Sequence, residues 1–207
     1  MQDLGPATDD QVILAWLQAE IESPRFQGQI IEDPQDHELL QIVREIAHQP
    51  DLNNADENEA RRNLIGPTRG FGQGEHLFAG LANDVIWRRY HVTTDEIADM
   101  LYANHMNDWT ALAPTTLTVR EGAGHVGRVA TPGGVNAHIF AVAQQICDTN
   151  PVPNFPQLIG LERPDGRISI IEGHVRATAY VLEAHRLPAG VDIYLGRSPS
   201  VANWHWL

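Results

Sequence analysis

The chain of 207 residues carries 27 acidic and 14 basic side chains, a formal net charge of −13 at pH 7. Duplex binding draws most of its affinity from basic side chains that displace counterions, so no specific nucleic-acid partner is expected. Its 43% hydrophobic and 20% charged content suits a globular protein that buries a core without staples, and one cysteine, Cys147, excludes an internal disulfide.

No apolar run approaches the roughly 20 residues that span a bilayer. Residues 1–5 lack the basic and apolar regions of a leader, so a cytoplasmic protein with no membrane partner is expected. Thr8-Asp9-Asp10 caps a predicted amphipathic helix with Val12, Ile13, Trp16, Leu17 and Ile21 on one face, broken at Ser23-Pro24. A second helix is predicted over 36–47, with Leu39, Leu40, Ile42, Val43 and Ile46 at helical spacing and a stop at Gln49-Pro50. The polar stretch 51–62 reads as either a mobile link or a solvated helix start.

Ile65-Gly66-Pro67-Thr68-Arg69-Gly70-Phe71-Gly72-Gln73-Gly74 reads as a glycine-rich loop, where glycine permits close backbone approach and Arg69 is a candidate anion ligand. An ordinary surface loop is the alternative. Residues 84–92 alternate like a strand, and Thr93-Thr94-Asp95-Glu96 caps a helix predicted to run through Met100, Leu101 and Tyr102, with Trp109 anchoring the join.

Residues 115–119 read as a short Thr/Val strand, followed by a glycine-rich loop over 120–128 that carries Glu121. Gly133-Gly134 precedes a predicted helix over 136–147 whose Ile139, Val142, Ala143 and Ile146 mark one buried face, with Cys147 expected to be a small buried residue there. Two β-branched runs, 158–162 and 168–171, are separated by Arg163-Pro164-Asp165-Gly166-Arg167, a hairpin connection. Glu172-Gly173 then opens an Ala-rich helix through Ala184, ended near Leu187-Pro188-Ala189-Gly190, and 191–195 reads as a further strand. A helix entered this way turns its unpaired N–H groups and the positive end of its dipole on whatever lies beyond the turn, which favours phosphate. Arg176 in the first turn supplies a fork of donors, and His174 and Thr178 are further candidate donors. The alternative is structural: Gly173 only makes a tight turn and Arg176 is solvated.

Glu172-Gly173-His174-Val175-Arg176, after a hairpin and before an Ala-rich helix, resembles the phosphate-binding motif of the ParB/sulfiredoxin-like superfamily. That motif is Gly-Glu-Arg-Arg in ParB proteins, Gly-Cys-His-Arg in sulfiredoxins and, closest to this chain, Asp-Gly-His-His-Arg in free serine kinases. The resemblance implies a nucleotide, ATP or ADP, at the helix end, with Gly173, His174 and Arg176 as matched positions. The ten histidines are scattered, so the one metal expected is Mg²⁺ carried on the phosphates, with Glu172 or Asp192 helping to hold it. His174 stands at the sulfiredoxin cysteine, so that chemistry is not available here. Val175 replaces the second polar residue of the kinase and ParB forms and leaves fewer phosphate ligands. The order strand, loop, helix, hairpin extends the likeness back to about Thr115. With the segment from Arg69-Gly70-Phe71 through Leu77-Phe78, Trp87 and Trp109, the chain also resembles a family of uncharacterised bacterial proteins, which implies no activity.

The fold expected is α+β: a mostly helical region over 1–112 and a ParB/sulfiredoxin-like mixed-sheet core over 113–207, with one compact domain as the alternative. Two functions fit. One is a small-molecule phosphotransferase, with Glu121 or Glu172 as the carboxylate that orients or deprotonates an acceptor hydroxyl. The other is a non-catalytic module that senses a nucleotide or anionic metabolite, whose N-terminal helices dock a protein partner or a second copy and whose Trp204 and Trp206 are exposed for an interface.

Overall fold

The computed structural model describes residues 1–21, 37–69, 84–103 and 107–207. Strand β1 is Gln2–Pro6 and helix α1 is Asp9–Glu20. Thr8 caps α1 with a reciprocal box: Thr8 Oγ1 accepts from Gln11 N at 3.3 Å, and Gln11 Oε1 accepts from Thr8 N at 3.0 Å. Helices α2, His37–His48, and α3, Ala55–Arg69, follow. Asn54 caps α3, its Oδ1 accepting from Asp56 N at 3.0 Å. The polar stretch 51–62 is therefore a helix start, and the helix continues through Arg69 where a loop was expected at 65–69; residues 70–74 lie outside the described residues.

Strand β2 is Ile86–Val92, helix α4 is Thr94–Ala98, strand β3 is Leu101–Tyr102 and helix α5 is Asn107–Leu112. The helix capped by Thr93 stops early because Leu101 and Tyr102 pair with a strand instead. Helix α6 is Val119–His125 and helix α7 is Val135–Asp148. The strand expected at 115–119 and the loop expected at 120–128 are both replaced. Thr118 Oγ1 accepts from Glu121 N at 3.2 Å and starts α6, and Thr118 contributes only an isolated bridge to Leu101.

Strands β4, Leu158–Glu162, and β5, Ile168–Glu172, form the expected hairpin; helix α8, His174–Leu182, and strand β6, Val191–Arg197, follow as expected.

The six strands form one mixed sheet in the order β1-β2-β6-β4-β5-β3. β1/β2, β2/β6 and β4/β5 are antiparallel, while β4/β6 and β3/β5 are parallel. The fold is α+β, and strands from both sides of residue 113 enter the sheet.

Side chains alternate across the sheet and feed two cores. Trp87, Ile159, Leu161, Ile171 and Tyr194 pack under α1 to α3, with Trp16, Leu17, Val43 and Ile65. Tyr90, Leu158, Ile170, Ile193 and Leu195 pack under α4 to α8, with Ile97, Trp109, Val119, Ile139 and Ala177. Each fully buried Leu, Ile or Val contributes about 1.5–3 kcal/mol of transfer free energy. Arg61, fully buried, ties α2 to α3 through the Ile46 carbonyl (2.9 Å) and the Asp51 carbonyl (3.2 Å).

Two surface expectations are reversed. Cys147 is exposed, its thiol bonded to Glu183 Oε2 at 3.1 Å. Trp204 is buried in the first core, with Trp206 partly buried against it, because the C-terminal turn folds back onto that core. No helix among the described residues is long and apolar enough to cross a membrane.

Candidate functional site

The hairpin delivers Glu172 to the end of β5, and the chain turns into α8 through Gly173. Gly173 has φ +97° and ψ 22°, the left-handed region that disfavours a side chain, and no side chain caps the helix it starts. A Cβ at Gly173 would stand 2.5 Å from Leu158 Cδ2 and 3.0 Å from Arg176 Nη2. The guanidinium of Arg176 therefore folds back over the turn. Its Nη2 lies 3.4 Å from Glu172 Oε1 with both side chains largely buried, and its Nε is buried with no hydrogen-bond partner among the described residues.

His174 and Thr178 lie elsewhere. His174 is buried, its ring stacked on Trp109 at 5.1 Å and near Tyr102 at 5.9 Å between centroids. Its Nε2 accepts the Ala103 N–H at 3.3 Å, so that nitrogen carries a lone pair. Thr178 is buried one turn on; its Oγ1 donates to the His174 carbonyl at 2.8 Å and accepts from Tyr102 OH at 2.7 Å. Burial pushes the Tyr102 phenol far above its ordinary range, outweighing the Thr178 bond, so it stays a donor. These two candidate donors serve the core and do not share the face of Arg176.

Glu121 sits in the first turn of α6, where its carboxylate accepts from Thr116 N at 2.6 Å, Thr116 Oγ1 at 2.8 Å and Thr115 N at 3.0 Å. Desolvation opposes its ionisation, but the bonds from Thr116 and Thr115 together hold it down at about 2. It is a structural anion that organises the approach to α6. Asp192, the other carboxylate named for Mg²⁺, is bound by His91 at 2.7 Å. Arg69 ends α3, whose Ile65 packs in the core on the opposite face of the sheet from α8.

Of the sequence candidates, Glu172, Gly173 and Arg176 come together, while His174, Thr178 and Glu121 do not join them. The Tyr102 and Trp109 rings that hold His174 were not foreseen as neighbours, since their contacts join segments about 70 residues apart and leave no local pattern. Trp109 Nε1 is another buried donor without an acceptor among the described residues. What the turn offers is donors: the first-turn N–H groups of α8 that no side chain caps, and the guanidinium of Arg176. An acceptor group such as phosphate fits that inventory, with Glu172 the competing anion beside it. No protein-family model, no curated protein and no solved structure matches this chain.

Proposed function

We propose that the protein binds a phosphate-bearing ligand, a nucleotide of the ATP or ADP type, at the turn from Glu172 to Arg176, and acts as a sensing or interaction module without turnover. The observation that carries this is the left-handed, uncapped Gly173 with the Arg176 guanidinium folded over it. A phosphate there would accept from backbone N–H groups and from a charged fork, interactions stronger than neutral hydrogen bonds. The Glu-Gly-His-x-Arg resemblance supports a nucleotide over a simple anion, and a ParB/sulfiredoxin-like arrangement over an unrelated one. The fit rests on backbone and Arg176 alone, because the His174 and Thr178 side chains are already engaged.

Binding is favoured over phosphoryl transfer by the state of the carboxylates. A general base works best with a pKa near the working pH. Glu121, held at about 2 by its threonine donors, is far from that, and Glu172 is engaged by Arg176. Mg²⁺ would arrive with the phosphates and keep most of its waters.

The test is thermal denaturation with ATP, ADP, CTP and GTP, each with and without Mg²⁺, beside pyrophosphate and a short DNA duplex. A ligand at a hundred times its Kd stabilises by about 2.7 kcal/mol, which raises Tm by about 5–10 °C for a domain of this size. One or more nucleotides should give such a shift and the duplex none. A panel in which no nucleotide at millimolar concentration moves Tm would discard the proposal.

A further inference from the structure

The antiparallel register of the hairpin sets Ile159 opposite Glu172, so the chain that enters β4 passes directly beside the turn into α8. Leu158 shows how closely: its Cδ2 is the atom nearest to a Cβ built at Gly173. Phe155 lies three residues earlier, and its ring meets that of Tyr180 on α8 at 6.1 Å between centroids and 59° between planes.

Tyr180 stands four residues after Arg176, one turn further along the same face of α8. Helical side chains lean toward the N-terminus, so Tyr180 leans toward the turn that carries Arg176. Burial pushes its phenol up to about 12, with the Arg176 charge working against the rise. The ring therefore stays neutral and brings no second anion beside Glu172.

Arg176, Tyr180 and Phe155 run as a line away from the phosphate turn. Its first step is one helical turn, about 6 Å, and its second the 6.1 Å between the two rings. A nucleoside diphosphate separates its phosphates from its base over a comparable length. Tyr180 is buried, whereas Phe155 keeps part of its surface in solvent. Pro153 and Pro156 stiffen the backbone on either side of Phe155, so little freedom is lost when a ligand settles on the ring.

We propose that Phe155, backed by Tyr180, is the seat of the ligand's base and makes the site select nucleoside phosphates over bare phosphates. The uncapped N–H groups and the Arg176 guanidinium recognise phosphate alone and do not distinguish ADP from pyrophosphate. A flat base gains by stacking on the exposed part of the Phe155 ring, and pyrophosphate has nothing to place there. This seat rests on the phosphate turn proposed above.

The test is isothermal titration of ADP and of pyrophosphate into wild type, Phe155→Leu and Phe155→Tyr, with each variant's urea midpoint recorded to show that it is folded. Wild type should hold ADP about tenfold or more tighter than pyrophosphate. Phe155→Leu keeps an apolar side chain without a ring, so it should weaken ADP about tenfold and leave pyrophosphate within about twofold. Phe155→Tyr should keep the preference for ADP. Phe155→Leu that weakens both ligands alike, or neither, would overturn the seat. Wild type that binds pyrophosphate and holds ADP no tighter overturns the seat and leaves the phosphate turn standing, whereas wild type that binds neither removes both.

Discussion

Replacing Gly122 by alanine sets two effects of known sign against each other. Gly122 lies in the middle of α6, where alanine is the better helix former by roughly 1 kcal/mol. A Cβ at that position, however, would overlap the Tyr102 hydroxyl and stand 2.7 Å from its Cε2 and 2.9 Å from its Cζ. Tyr102 is buried and its hydroxyl bonds Thr178 Oγ1 at 2.7 Å, so it has no free volume to retreat into. Overpacking of this kind costs about 1–3 kcal/mol, and pulling a buried hydroxyl off its partner about 1–3 kcal/mol more. Sterics win, and Gly122→Ala should destabilise by about 1–5 kcal/mol after the helix gain is subtracted. Urea unfolding followed by circular dichroism measures it as a lower midpoint at unchanged slope. Tyr102→Phe in the same chain removes the overlapping oxygen, so the double variant should recover part of the loss, a coupling readable as a double-mutant cycle. A Gly122→Ala midpoint equal to or above wild type would refute the packing that joins α6, β3 and α8.

Two further outcomes follow from charged side chains held by several hydrogen bonds each. Arg61→Ala strips donors from the Ile46 and Asp51 carbonyls and from Asn58 Oδ1, 2.5 Å away, and should cost about 3–5 kcal/mol in equilibrium unfolding; a loss under about 1 kcal/mol would contradict its role as the tie between α2 and α3. Glu121, with a folded pKa lowered to about 2 from roughly 4.3 in the unfolded chain, contributes stability that is present above the unfolded value and lost as pH falls through the folded one. Glu121→Gln should therefore flatten the acid limb of the stability profile between those values, and an unchanged limb would remove Glu121 from the account.

The hairpin, the glycine entry to α8 and the helices α1, α2 and α7 were legible because each carries its own local signal: period-two runs around Asp165-Gly166, a cap at Thr8, apolar residues at helical spacing on 39–46 and on 139–146. Strand β1 was not, since Gln2-Asp3-Leu4-Gly5-Pro6 has neither alternation nor β-branched residues and is strand only because β2 offers a ladder. Helix α6 was masked by Gly122 and Gly124, although Thr118 followed three residues later by Glu121 is a helix-start signature. Leu101 and Tyr102 left the helix predicted for them to pair with Ser169 and Ile170, a choice made by tertiary context. At the site, Gly173 and Arg176 were legible from order along the chain. That His174 and Thr178 turn into the core depends on Tyr102, Ala103 and Trp109, which arrive from a distant segment.

The most direct measurement is isothermal titration of the tightest nucleotide from the denaturation panel into wild type, Arg176→Ala and Arg176→Lys, with each variant's urea midpoint recorded to show that it is folded. Loss of a charge-assisted bond costs about 1.5–3 kcal/mol, so Arg176→Ala should weaken binding about ten- to a hundredfold. Arg176→Lys should fall between the two, because an ammonium keeps the charge without the planar fork. Equal affinity for wild type and Arg176→Ala, with both folded, would contradict the phosphate turn.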